Sequence, residues 1–81
     1  MRSLTLFMRQ SCALCDHMAL ALELLRPQYK FDYSKVDVDS DKQLIDLYGS
    51  RVPVLLDGEY EICAGHFEPE TLETYFLNRA G

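Results

Sequence analysis

Eighty-one residues, 48% hydrophobic and 26% charged, have the make-up of one modest globular core rather than a disordered or fibrous chain. Thirteen acidic against eight basic side chains give a formal charge of −5 with no Lys or Arg stripe, so neither nucleic acid nor an anionic membrane surface is an expected partner. The longest uncharged apolar run lies between His17 and Glu23, too short to cross a bilayer. Met1–Met8 lacks the small-residue cleavage site of a signal peptide. The expectation is a single domain over residues 1–81, cytoplasmic and monomeric.

Leu4-Thr5-Leu6-Phe7-Met8 is a β-compatible apolar run of the kind buried in a parallel sheet. A helix follows from about Cys12 to Leu25, with Ser11 as its expected cap and Pro27 as its stop. Leu14, Met18, Ala21 or Leu22, and Leu25 recur at helical spacing, and Leu20 and Leu24 add a second apolar side, which predicts a largely buried helix. Lys30–Val38 alternates as a second strand, and Asp39-Ser40-Asp41 supplies capping oxygens for a short helix bearing Leu44, Ile45 and Tyr48 and stopped at Gly49. Val52–Leu56 reads as a third strand, Asp57-Gly58 as a hairpin turn and Glu59–Ala64 as a fourth strand. Glu68-Pro69-Glu70 then opens a helix whose apolar side is Leu72, Tyr75 and Phe76. A helix between the first two strands makes them parallel, and a two-residue connection makes the last two antiparallel.

The chemistry is concentrated in Cys12-Ala13-Leu14-Cys15, between the first strand and the first helix. A C-x-x-C placed so in a β-α-β pattern reads as a dithiol that cycles to a disulfide. At the helix start the first thiol faces unpaired N–H groups and the positive end of the dipole, which favour its thiolate. The second lies one turn inside, close enough to attack a mixed disulfide formed at the first. Zinc sites share the spacing, yet no second ligand pair follows, and His17 stands one residue too late for a c-type haem signature, so no metal is expected. Asp16 directly follows Cys15, where its charge disfavours a Cys15 thiolate. Cys63, on the fourth strand, reads as a small buried apolar residue. Pro53 opens a strand where its missing N–H is not needed, and Val52-Pro53 is a bond at which a cis peptide costs only about 0.5–1 kcal/mol.

With Cys12-Ala13-Leu14-Cys15 in that loop, Val52-Pro53 at the third strand and the order β-α-β-α-β-β-α, the chain resembles the thioredoxin superfamily over essentially its whole length. Within it, the likeness is to small glutaredoxin-like proteins with a C-x-L-C dithiol. The resemblance implies an α/β, thioredoxin-like (glutaredoxin) fold: a four-stranded mixed sheet flanked by three helices. It implies a thiol–disulfide oxidoreductase with Cys12 as nucleophile and Cys15 as resolving thiol, exchanging with protein or small-molecule disulfides. Pro53 is then a cis-proline facing the dithiol, and Val52 offers its backbone to an extended substrate. Arg9 matches the basic position that contacts a glutathione carboxylate, with Arg51 as a second positive group at the rim. Gly65 is the secure match to the family's glycine pair, with His66 beside it.

Two departures bear on the partner. Phe67 stands where the family has a carboxylate, and Ala13-Leu14 lacks the family's proline and aromatic residue. The reductant is expected to be glutathione, as a co-substrate bound more weakly than in an ordinary glutaredoxin, or a thioredoxin reductase, with no resident cofactor. The alternative is a non-catalytic thioredoxin-like binding module or a dimeric iron–sulfur cluster carrier.

Overall fold

The computed structural model describes residues 2–79; Met1 and residues 80–81 of the predicted domain lie outside the described residues. The elements are β1 (Arg2–Met8), α1 (Ala13–Tyr29), β2 (Phe31–Asp37), a 3-10 turn (Val38–Ser40), α2 (Lys42–Tyr48), β3 (Val54–Asp57), β4 (Tyr60–Ala64) and α3 (Pro69–Arg79). The strands form a mixed sheet in the order β2-β1-β3-β4. β1 runs parallel to β2 and antiparallel to β3, and β3 runs antiparallel to β4. This is the expected α/β thioredoxin-like arrangement.

The period of two along β1 assigns its residues to opposite faces of the sheet. Leu4 and Leu6 join Phe31, Leu55, Met18, Leu22, Leu25, Leu72 and Phe76 in the main core, so α1 and α3 cover the same face. Phe31 and Phe76 stack there with ring centroids 4.6 Å apart, and Tyr29 stacks on Phe76 at 5.4 Å. Phe7 points the other way and stacks on Tyr48 at 4.3 Å, which places α2 on the opposite face. Each fully buried large apolar side chain contributes roughly 1.5–3 kcal/mol to the fold.

Several boundaries differ from those read in the sequence. Ser11 does not cap α1; it takes a left-handed conformation (φ 56°), and Cys12 is the capping residue. Pro27 does not end α1, which continues to Tyr29. Pro27 and Glu23 both lie on the exposed side, so water can satisfy the Glu23 carbonyl that the missing N–H leaves unpaired. The helix stops instead at Lys30, left-handed at φ 55°, whose N–H donates to Arg26 O at 2.8 Å. Nor is α1 buried on its second side: Leu20 is 61% and Leu24 72% exposed. β2 ends at Asp37, where Asp37 caps the 3-10 turn, and β3 starts only after Pro53, which has no N–H to give a ladder. In the β3–β4 hairpin Asp57 pairs with Tyr60, so Gly58-Glu59 is the loop, with Gly58 at φ 62° as its first central residue.

Candidate functional site

Three connections meet at one end of the sheet. Phe7 pairs with Val54, so the loop leaving β1 and the residues entering β3 lie side by side. Val54 pairs in turn with Ala64, which brings the start of the β4–α3 connection to the same end. Sheet register thus gathers Arg9, Cys12, Val52, Pro53, Gly65 and His66 from distant parts of the chain.

Cys12 and Cys15 are joined as a disulfide, with Cα atoms 5.2 Å apart. Cys12 is extended (φ −119°, ψ 104°), the backbone of a capping residue, and its Sγ accepts the Cys15 N–H at 3.1 Å. A sulfur therefore stands where Ser or Asp usually supplies an oxygen to the first turn. Its carbonyl accepts the Asp16 N–H at 3.1 Å, the first bond of α1. Cys12 is half-buried and Cys15 only 2% exposed. The two sulfurs therefore differ in access: one meets solvent at the dipole's positive end, and the other is packed beneath it.

The Val52–Pro53 peptide is cis, with Pro53 buried and Val52 half-buried. Gly65 N–H donates to Pro53 O at 2.7 Å, fixing the β4–α3 connection against the proline loop. Gly65 sits at φ 69°, where a side chain is disfavoured, so glycine suits this turn. His66 is exposed, with Nε2 3.4 Å from Glu68 Oε1.

Both arginines of the rim are engaged within the chain. Arg9 grips Asp39 with Nη2 at 2.7 Å from Oδ1 and Nε at 3.2 Å from Oδ2, and Nη1 donates to Gly49 O at 3.1 Å. The hydrogen bond from Arg9 holds the Asp39 carboxyl below the usual carboxylate range, and Asp39 raises the Arg9 pKa further. Arg51 pairs with Glu61 at 2.9 Å and lies over the Tyr48 ring, 5.9 Å from its centroid. Arg9 thereby ties the loop ahead of the dithiol to the end of α2, just before the proline loop.

Sequence reasoning missed Asp39 and Glu61 as the partners of these arginines; the pairs form across the fold, and the acidic residues carried no local signal. It also missed a groove of about 310 Å³ beside the dithiol, between α1 and the β4–α3 connection. Leu14, Leu20 and Leu24 line it, and Leu20 and Leu24 were the signal: apolar residues on a helix side that core packing does not use. His17 also lines this groove and lies on the helix surface. Cys63 packs half-buried against the core outside the disulfide, and burial, with Glu61 nearby, pushes its thiol up to about 11. Among the described residues no group of three or more His, Cys, Asp or Glu could hold a metal ion, and no helix is long and apolar enough to cross a membrane.

The chain is similar to two solved structural-genomics proteins over most of its length. Protein XcR50 from X. campestris shares 35% identity, covering 96% of this chain and 99% of that one, with a TM-score of 0.78. Protein Ne2328 from Nitrosomonas europaea shares 29%, covering 91% and 89%, with a TM-score of 0.76. Oxidised thioredoxin O2 from Arabidopsis thaliana shares the fold at 20% identity, over 98% of this chain and 75% of that one, with a TM-score of 0.68. No curated protein matches the chain. The profile of the glutaredoxin-like domain (DUF836) matches residues 3–77, so the Cys12–Cys15 pair at the head of α1 belongs to a member of the glutaredoxin-like domain family.

Proposed function

We propose that the chain is a thiol–disulfide oxidoreductase acting on disulfide-containing proteins or small molecules. The observation that carries this reading is the asymmetric pair itself: Cys12 half-exposed as the cap of α1, and Cys15 buried one turn inside and bonded to it. In the reducing direction the Cys12 thiolate attacks one sulfur of the substrate disulfide, and the other sulfur leaves as a thiolate that takes a proton. Cys15 then gives its proton to solvent and attacks Cys12 Sγ. The Cys12–Cys15 disulfide forms and the second substrate thiol is released, so the substrate gains two electrons and two protons. Glutathione or a thioredoxin reductase restores the dithiol, and Val52 presents backbone groups to the substrate beside Pro53. Such chemistry belongs to a reducing compartment, where a C-x-x-C serves catalysis rather than structure.

The test is to measure the reduction potential of the Cys12–Cys15 couple and to follow reduction of the oxidised protein by glutathione and by thioredoxin reductase with NADPH. Reversible two-electron reduction by either, coupled to turnover of a disulfide substrate, is the expected result. A pair reduced by neither, or one that transfers no electrons to any disulfide, overturns the reading.

A further inference from the structure

We propose that the groove beside the dithiol docks the protein substrate itself, through a segment that carries an apolar side chain and a basic residue close to its disulfide cysteine. This rests on the oxidoreductase reading above and names its substrate class.

Geometry carries the apolar half. At about 100° per residue, Leu20 and Leu24 fall on a side of α1 turned away from Met18, Leu22 and Leu25, which face the core, and Leu14, exposed in the first turn at the edge of that core side, extends the groove to the helix start. Phe67 and Pro69 form the opposite wall, with His66 at the mouth. Leu14 belongs to the C-x-x-C, so the groove starts at the disulfide. At about 310 Å³ it lies at the small end of ligand pockets, suited to one or two side chains. Single exposed leucines are ordinary, but a contiguous apolar patch beside a reactive sulfur marks a docking surface.

Charge carries the other half. Asp16 lies along one flank of the leucine side, and Glu68 and Glu70 adjoin Phe67 and Pro69 on the other, while Glu23 farther round is taken up by Tyr33 and Arg26. The nearby arginines are neutralised: Arg26 by Asp32 at 2.7 Å and Glu23 at 3.5 Å, Arg9 by Asp39 and Arg51 by Glu61. A chain of net charge −5 with this rim attracts a cationic segment and repels an anionic one, including glutathione disulfide.

The probes are three peptides of equal length, each with one cysteine held as a mixed disulfide with nitrothiobenzoate. In the first the cysteine is flanked by leucine and arginine; in the second glutamate replaces arginine; in the third serine replaces leucine. Cys12 of the reduced protein attacks the peptide sulfur and displaces nitrothiobenzoate, whose colour gives the rate. Cys15 then releases the peptide thiol as the Cys12–Cys15 disulfide forms. The first peptide should react about fivefold or more faster than either other. Its advantage over the glutamate peptide should shrink in high salt, and its advantage over the serine peptide should not. Leu24→Ser, at a position 72% exposed, should remove the leucine advantage while leaving reaction with a small neutral disulfide unchanged.

Fluorescently labelled analogues with serine in place of the cysteine read docking without chemistry, by anisotropy. If no disulfide is reduced at all, the oxidoreductase reading fails, and the analogues still decide the groove. Equal rates and equal binding across the three peptides overturn the proposal. So does self-association that Leu24→Ser abolishes without any peptide preference, which would assign the groove to a second copy of the chain.

Discussion

Arg9 and Asp39 meet in a two-point ion pair, with contacts of 2.7 and 3.2 Å, although they lie on either side of β2 in the chain. The guanidinium that the glutaredoxin resemblance offers to a glutathione carboxylate is thus satisfied internally, and it braces the end of α2 through Gly49 O. With Arg51 held by Glu61 and Phe67 in place of a carboxylate, the rim offers glutathione few charged contacts.

Glutathione-coupled disulfide turnover is therefore expected to be slow, and Phe67→Asp is expected to raise it. One charge-assisted contact is worth about 1.5–3 kcal/mol, roughly ten- to a hundredfold in affinity, which sets the ceiling of the gain. Comparing kcat/KM of the two proteins for a glutathione mixed disulfide checks this; ordinary glutaredoxin rates in the unmodified chain would contradict it.

The same ion pair predicts an acid dependence. Because the folded state depresses the Asp39 pKa, its stabilisation is complete above the unfolded carboxylate range and is lost as pH falls through the depressed value. Asp39→Asn should flatten that part of the acid limb of a urea-midpoint profile. The pair is exposed, so the effect should be small and should fade in high salt.

Cys12→Ser should abolish disulfide exchange, whereas Cys15→Ser should accumulate a mixed disulfide between Cys12 and the substrate. Mass spectrometry after quenching distinguishes the two. Alkylation near neutral pH should be faster in Cys15→Ser than in Cys12→Ser, since the former keeps the thiol at the helix start. The reverse order would exchange the two roles.

How far the site was legible from sequence depended on how local each signal was. The dithiol and Val52-Pro53 were visible because a few adjacent residues specify each, whereas Gly65 entered only through the family resemblance and its turn came from the structure. The parallel direction of the first two strands and the antiparallel direction of the last two followed from connection lengths, whereas the order of strands in the sheet did not. Ser11 was misread because hydroxyls usually cap helices, whereas here Cys12 takes that position with a sulfur acceptor. Leu20 and Leu24 were misread because an apolar helix side looks the same whether it meets a core or an open groove. The Arg9–Asp39 pair could not be read at all, since neither residue signals the other before the loops are brought together.

Phe76 tests the core. It is 2% exposed and stacked between Phe31 and Tyr29. Phe76→Ala should cost about 3–5 kcal/mol, by transfer loss and the cavity left behind. Equilibrium unfolding in urea should show a lower midpoint with an unchanged slope.

Cys63 should react far more slowly than Cys12 with iodoacetamide at pH 8, because its thiol is pushed up to about 11. The sign for stability follows from the direction of the shift. With the folded pKa above the ordinary 9.0, stabilisation is present below 9 and is lost as pH rises towards 11. Cys63→Ala should remove that alkaline loss, as read from thermal midpoints across the range.

Cys12 and Cys15 remain neighbours in any conformation of the chain, because only Ala13 and Leu14 separate them. Pro53 and Gly65 join them only after β1 has paired with β3 and β3 with β4. An unfolded chain keeps the thiol pair but loses the helix start that favours the Cys12 thiolate and the groove wall that follows β4. On the proposed exchange and docking, proximity of the thiols is local in the chain, whereas discrimination among partners is not. Loosening the β3–β4 hairpin is then expected to lower peptide preference while the disulfide can still form, so the fidelity of exchange would report on the integrity of that hairpin.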